Sequence, residues 1–177
     1  DAAGTNVRWE LTDRGTRLRR LFHESDLLIA ECLSAGLLDG LTAPDLAGML
    51  SLFVYEHRSP EPAPPPWFSS SSARGRWLDI VDISSQLAVE EEALGIAVHR
   101  GPDPGFFAAA HGWVSGHQLA TVVTDEELSG GDFVRTMRQL LDLARQDALV
   151  AGDPSTRAVA AQIAEEAQRG VLADISA

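Results

Sequence analysis

Ser129-Gly-Gly-Asp-Phe-Val-Arg-Thr-Met-Arg-Gln-Leu-Leu-Asp-Leu-Ala-Arg-Gln-Asp-Ala148 carries the strongest helical pattern in the chain. Asp132 is a residue type that accepts from the free N–H groups of a first helical turn, which predicts a helix starting there. Phe133, Met137, Leu140, Leu141, Ala144 and Ala148 recur at steps of three and four, so they share one side of that helix. Arg135, Arg138, Gln139, Asp142 and Arg145 take the other side. The polar face thus carries three of the chain's 14 basic residues, in a chain of net charge −12. A local cationic stripe on so acidic a background stands out.

At 177 residues the chain has the size of one domain with a real core. Its 45% apolar content argues for a folded globule rather than a disordered chain. No run of 18 apolar residues exists to span a membrane, and no signal peptide opens the sequence. A start at Asp1 without Met suggests an excised fragment. One cysteine, Cys32, leaves no internal disulfide, which fits a reducing cytoplasm. Every basic residue is Arg and none is Lys, a pattern of genome composition rather than of local need. The acidic balance argues against a free-standing nucleic-acid binder. Contact with a polyanion has to be local or shared with a more basic neighbouring domain.

Outward from that stretch, the chain reads as helices separated by turn residues. Residues 1–24 are ambiguous between a short strand and a helix: Trp9, Leu11, Leu18, Leu21 and Phe22 interleave with Arg14, Arg17, Arg19 and Arg20. Ser25 or Asp26 opens a helix with Leu28, Ile29, Cys32 and Leu33 on one side and Gly36 as its stop. Thr42, Pro44 and Asp45 start a second, whose buried stripe is Leu46, Met49, Leu50, Phe53 and Val54. The Pro/Ser-rich run 59–72 is predicted as a surface loop, with a Pro-rich peptide ligand as the functional alternative. A long helix is expected over about 73–97 with Trp77, Ile80, Val81, Ser84, Leu87, Ala88 and Leu94 inward. Glu90, Glu91 and Glu92 are assigned to its solvated face.

Gly101-Pro-Asp-Pro-Gly105 is a sharp connector whose Pro104 suits a first helical turn. The helix that follows carries Phe106, Phe107, Ala110, His111, Trp113 and Val114 and ends at Gly116. A short helix over 118–123 precedes the opening stretch, and Asp153-Pro154 starts a last helix bearing Val159, Ile163 and Ala167. Beyond residue 24 no period-two alternation appears. The expected fold is all-α, a single bundle of about seven helices, with any extended segment confined to the N-terminus.

Catalytic chemistry is conspicuous by its absence. A phosphate-binding Gly-x-x-x-x-Gly-Lys loop requires a Lys, and there is none. Asp125-Glu126-Glu127-Leu128 faintly echoes an acidic helicase motif, lacks its final His and a preceding strand, and reads as a polar connector. Gly112-Trp-Val-Ser-Gly116 misses the spacing of a nucleophile elbow. Histidines 23, 57, 99, 111 and 117 show no metal-ligand spacing. His111, beside aromatic residues, is read as a hydrogen-bonded core histidine, and Cys32 as packing rather than a nucleophile. No catalytic or metal site is expected.

An ordered set of segments nevertheless points to one family. Ser25–Leu33 is followed by Gly36-Leu-Leu-Asp-Gly-Leu-Thr-Ala-Pro-Asp-Leu-Ala47, then Leu52–Glu56, then Pro102-Asp-Pro-Gly-Phe106. Trp113, Gly116 and Leu119 come next, and Gly131–Leu143 closes the series. In this order and spacing they resemble the DSHCT domain, the C-terminal helical domain of the superkiller and exosome-associated DExH RNA helicases. The resemblance covers about residues 17–175, and the acidic, Lys-free version most resembles the HelY helicases of actinobacteria. No single motif is diagnostic; the ordered set is specific.

The resemblance implies a division of labour. Two RecA-like domains elsewhere in the parent chain bind ATP and Mg and hydrolyse the nucleotide, so no cofactor is expected in this segment. A winged helix links them to the helical domain, and residues 1–24 correspond to the tail of that winged-helix region, with 25–177 the helical domain proper. The helical domain lays a "ratchet" helix beneath single-stranded RNA. Gly131-Asp-Phe-Val-Arg135 matches the start of that helix, Arg135 and Arg138 match family basic positions, and Asp142 an acidic position facing RNA. Gln139 departs from the family, whose eukaryotic members commonly carry a basic residue there. Arg145 has no family counterpart and is read as solvating the helix.

A single-strand channel needs backbone-directed cations and stacking or polar surfaces without base-edge reading, which these residues supply. Each neutralised phosphate adds roughly −0.7 to the logarithmic salt slope on single strands, so two cations alone hold RNA weakly. The expected partners are therefore single-stranded RNA, the RecA-like and winged-helix domains of the same chain, and RNA-degradation proteins, with no membrane. The competing expectation is a stand-alone acidic helical protein-interaction module. A small α-helical enzyme has no motif behind it.

Overall fold

A computed structural model describes residues 25–123 and 128–173. The entry segment 1–24 and most of the acidic connector, 124–127, lie outside the described residues. Among the described residues there are seven α-helices: α1 (Asp26–Ser34), α2 (Ala43–Val54), α3 (Ser71–Ala93), α4 (Phe107–Val114), α5 (Leu119–Val122), α6 (Gly130–Val150) and α7 (Pro154–Glu166). One-turn 3-10 helices at Pro104–Phe106 and Gly170–Leu172 complete it, and no strand occurs among the described residues. The all-α bundle expected from periodicity is the fold observed.

The centre of the bundle is α2. Every residue from Leu46 to Val54 is buried, and a helix that is apolar all round has to be enclosed by others. Thr42 caps it by accepting from the Asp45 N–H at 3.3 Å, and Pro44 occupies its first turn. Its far end is closed by Arg100, whose guanidinium donates to the carbonyls of Phe53 and Tyr55, groups with no helical N–H to receive. Helices α4, α6 and α7 all pack against α2.

Packing of α4 on α2 depends on Gly48. A Cβ placed there would lie 2.6 Å from Cε2 of Phe107, a fully buried ring. Phe107 thus lies almost on the α2 backbone. Around it runs an aromatic chain: Phe68 meets Phe107 at 5.0 Å and Trp77 at 5.2 Å, while Phe106 and Trp113 flank Phe133 of α6 at 5.8 and 5.2 Å. Stacked, edge and tilted geometries of this kind add to what area burial alone contributes.

Turn chemistry follows the sequence at several places. Helices α1 and α4 both end in a turn with glycine in the left-handed region, Gly36 at φ 70 and Gly116 at φ 91. In each, the next residue donates back five positions, Leu37 to Cys32 and His117 to Gly112. Asp153 caps α7 through the Thr156 N–H at 2.9 Å, with Pro154 in the first turn.

Three expectations need correction. The long helix runs 71–93 rather than 73–97, capped by Ser70, and Leu94 is exposed rather than inward because the helix has ended before it. Glu91 is not solvated: its carboxylate accepts from His99, which folds back from beyond the helix end. His111 is half-buried between Trp67 and Phe107, and its ring lies 3.6 Å from Asp45, too far for a hydrogen bond. The Pro/Ser run is a loop as far as Ser70, its last two residues being the start of α3, and Phe68 packs on the core while Trp67 stands half-exposed over Phe107.

Gly48→Ala should cost about 1–3 kcal/mol of stability, because the Phe107 ring is too enclosed to retreat from the added methyl. Urea unfolding measures this. A cost below a few tenths of a kcal/mol would mean the α2–α4 contact is looser than the described geometry.

Candidate functional site

Helix α6 begins one turn earlier than the sequence suggests. Ser129, not Asp132, is the cap: its hydroxyl oxygen accepts from the Asp132 N–H at 3.1 Å and its O–H donates to the Asp132 carboxylate at 2.7 Å. A hydroxyl at the cap with an acid three residues on satisfies two groups reciprocally. Asp132 instead serves the dipole of the first turn and pairs with Arg135 at 2.9 Å.

The inner side of α6 is fixed by Phe133, Met137, Leu140, Leu141 and Ala144, all buried, together with Thr136 and Leu143. At 100° per residue this leaves Arg135, Arg138, Asp142, Arg145 and Leu149 on one outward line, with Gln139 beside it. All six are exposed. From Arg135 to Arg145 the line is about 15 Å long at 1.5 Å per residue. The four residues the sequence singles out, Arg135, Arg138, Gln139 and Asp142, therefore share one surface.

Their electrostatics differ. Arg135 is held by Asp132, and Arg145 is held by Asp142 at 2.5 Å, each pair half-exposed and three residues apart. Such pairs contribute little to stability and exchange readily for a better anion. Arg138 has no carboxylate or carbonyl partner among the described residues. This is unusual here, because most of the nine described arginines are engaged. Arg76, Arg100, Arg157 and Arg169 donate to backbone carbonyls, and Arg58, Arg135 and Arg145 pair with nearby acids.

At the start of α6 the line opens into a cleft of about 250 Å³ bordered by Tyr55, His57, Arg58, Leu128, Asp132 and Arg135. His57 is set there by its backbone N–H, which donates to Asp103 at 2.7 Å. Nothing in the local sequence links residues 55–59 to Arg135. At the opposite end, Arg145, Ala148 and Leu149 wall one side of an open groove of about 600 Å³ completed by Ala161, Ala164 and Gln168 of the α7 region.

Two constellations outside this surface bear on chemistry. Ser84 Oγ lies 2.8 Å from His99 Nε2, and His99 Nδ1 lies 2.8 Å from Glu91 Oε2. The order of groups matches a hydrolytic triad, but Ser84 is buried in the middle of α3, where every backbone N–H is already bonded and no oxyanion donor is free. The arrangement is a clamp. Hydrogen bonds from the His99 backbone and ring hold the Glu91 carboxyl below the ordinary carboxylate range. Cys32 is fully buried and its thiol is pushed up to about 12 by burial, so it is inert, as the sequence indicates. Among the described residues no cluster of three His, Cys, Asp or Glu could hold a metal ion, and no helix is long and apolar enough to cross a membrane.

Asp147 was missed by sequence reasoning. It lies on the buried side of α6, fully enclosed, with neither carboxylate oxygen hydrogen-bonded. Burial, reinforced by the nearby Asp39 charge, raises its pKa from 3.8 to about 7. A signal existed, since the stripe Phe133, Met137, Leu140, Ala144 continues through 147. A raised folded-state pKa gives a stability contribution that is full below pH 3.8 and is lost as pH rises toward and through about 7. Asp147→Asn should therefore gain on the native protein as pH increases, by about 3 kcal/mol between pH 5 and pH 8. Chemical denaturation at the two pH values measures it; a constant difference would show that Asp147 titrates normally.

Comparison with known proteins adds the context that geometry alone lacks. The chain matches the DSHCT (NUC185) domain family over residues 8–174. It is 35% identical over 173 residues to a protein named probable helicase HelY from Mycobacterium tuberculosis (strain ATCC 25618 / H37Rv), covering 92% of this chain and 19% of that one. Its similarity to the protein of the same name from Mycobacterium leprae (strain TN) is 36% over 174 residues, 93% of this chain and 19% of that one. The chain thus spans about a fifth of the length of these relatives.

Proposed function

The chain belongs to the DSHCT (NUC185) domain family, and from that membership we propose that it is the C-terminal accessory domain of an ATP-dependent RNA helicase. In this reading α6 is the ratchet helix, its outward line lies beneath single-stranded RNA, and the domain docks on RecA-like motor domains of the same chain. ATP and Mg belong to those motor domains.

The observation that carries the reading is the outward line of α6. Helix α6 is locked by its buried side, so Arg135, Arg138, Gln139 and Asp142 are presented in a fixed row. Arg138 is the cation available without breaking an ion pair. Its guanidinium suits a phosphate or the face of a base, the two contacts that hold single strands without reading sequence. Arg135 reaches the strand by releasing Asp132, an exchange that costs little at an exposed pair. Gln139 offers both donor and acceptor to a sugar or base edge. Asp142, paired with Arg145, keeps the local field from becoming strongly cationic. A strand held by so few charges binds loosely and can slide, which is what a guide beneath a translocating motor requires.

In the full-length protein, Arg135→Ala combined with Arg138→Ala should reduce unwinding of a 3′-tailed RNA duplex at least about tenfold, equivalent to 1.4 kcal/mol. ATP hydrolysis without RNA should be unchanged. Full unwinding activity in this variant would remove the ratchet assignment, and a parallel loss of RNA-free hydrolysis would point to docking on the motor instead.

A further inference from the structure

Helix α3 is the least enclosed long element of the molecule. Of its 23 residues only Ala73, Ile80, Ser84 and Glu91 are buried. Eight large hydrophobic residues are exposed among those described, and five of them fall between positions 78 and 98: Leu78, Val89, Leu94, Ile96 and Val98, each 51–75% exposed. Isolated exposed apolar residues are ordinary; such a concentration, two on α3 and three in the segment that follows it, marks an interaction surface. The same stretch is one-signed. Asp79, Asp82, Glu90 and Glu92 are exposed, and no arginine occurs between Arg76 and Arg100.

The far end of α3 is also rigidly built. The chain leaves the helix through a closed turn, with Gly95 N–H donating to Glu92 and Ile96 N–H to Glu91. It is then clamped back on α3 by His99, whose backbone and ring both meet Glu91 Oε2 at 2.8 Å while the other ring nitrogen meets Ser84 at 2.8 Å. Leu94, Ile96 and Val98 are thereby held in place while remaining exposed. An apolar tip that was merely unstructured would lose conformational freedom on binding; this one has lost it already.

We propose that the far half of α3 and the turn after it form a docking platform for a cationic amphipathic segment of a partner protein. The apolar residues anchor the segment's apolar side, and Asp79, Asp82, Glu90 and Glu92 receive its Arg or Lys residues. Charge selects this occupant. A nucleic acid is repelled by four exposed carboxylates, and a second copy of a chain with net charge −12 would bring like charge to like. The proposal does not depend on the helicase reading, because no residue of α6 takes part.

The test uses the full-length protein and a fluorescent peptide of about 18 residues with Leu and Arg at helical spacing, long enough to cover this face. A peptide of the same composition in scrambled order is the control, and fluorescence anisotropy the readout. The helical-pattern peptide should bind at least tenfold more tightly than the scrambled one. Val89→Ser with Ile96→Ser should weaken it at least about tenfold, and Asp82→Asn with Glu92→Gln should weaken it and flatten its salt dependence. These positions are exposed, so unchanged thermal unfolding verifies the fold. Arg135→Ala with Arg138→Ala should leave peptide binding unaffected. No binding, equal binding of the two peptides, or retention of affinity in the Val89/Ile96 variant would each overturn the proposal.

Discussion

Enclosure of α2 dictates where the other helices go. Nine consecutive residues, Leu46 to Val54, are buried, and burying a large aliphatic or aromatic side chain contributes about 1.5–3 kcal/mol relative to exposure. No single neighbour can cover all sides of a helix, so α4, α6 and α7 must surround it. Gly48 sets how closely α4 approaches, through Phe107. Phe106 and Trp113, fixed by that approach, then grip Phe133 at the start of α6. The rotation of α6 about its own axis follows from this chain of contacts. Once Phe133, Met137, Leu140 and Ala144 face inward, Arg135, Arg138, Asp142 and Arg145 have to face out. Orientation of the candidate site is thus a product of core packing rather than of any interaction among the site residues.

The arginines divide along the same logic. A chain without lysine has only guanidinium groups for its cationic tasks, and it spends several on backbone carbonyls at helix ends. Arg100 closes α2, Arg157 donates to Ala151 and Gly152 at the end of α6, and Arg169 donates to Trp113 and His117 while stacking 3.9 Å over the Trp113 ring. A planar fork of donors suits these tasks better than an ammonium group. Arg138 is exempt from them and projects from the middle of the α6 line. Among the described arginines only Arg74, on α3, and Arg138 lack such a partner, and of the two only Arg138 lies on the α6 line.

Much of this was legible in the sequence, and the failures have physical causes. Periodicity identified the helices because burial on one side imposes a repeat near 3.6. Gly36, Gly116, Pro44 and Pro154 marked boundaries because each satisfies a geometry that few other residues adopt comfortably. Ser129 was passed over for Asp132 because both residue types cap helices and lie within one turn; only the paired hydrogen bonds distinguish them. Glu91 looked solvated within a run of three glutamates, since its partner His99 arrives from a non-helical segment to which the repeat is blind. Asp147 continues the buried stripe three residues after Ala144, but a carboxyl without a partner is rarely buried, so its residue type points to the surface. The cleft joining Arg135 to His57 and Arg58 involves residues more than 70 positions apart, and no local pattern encodes it.

In the proposed arrangement the outward line of α6 lies against the strand. Site-specific photocross-linking in the full-length protein tests it most directly, with a photoreactive amino acid at Gln139, beside Arg138, and a control at Asp79 on α3. Position 139 should cross-link single-stranded RNA efficiently, with the yield falling as salt rises, and position 79 should not. Strong cross-linking at 79 with none at 139 would contradict it.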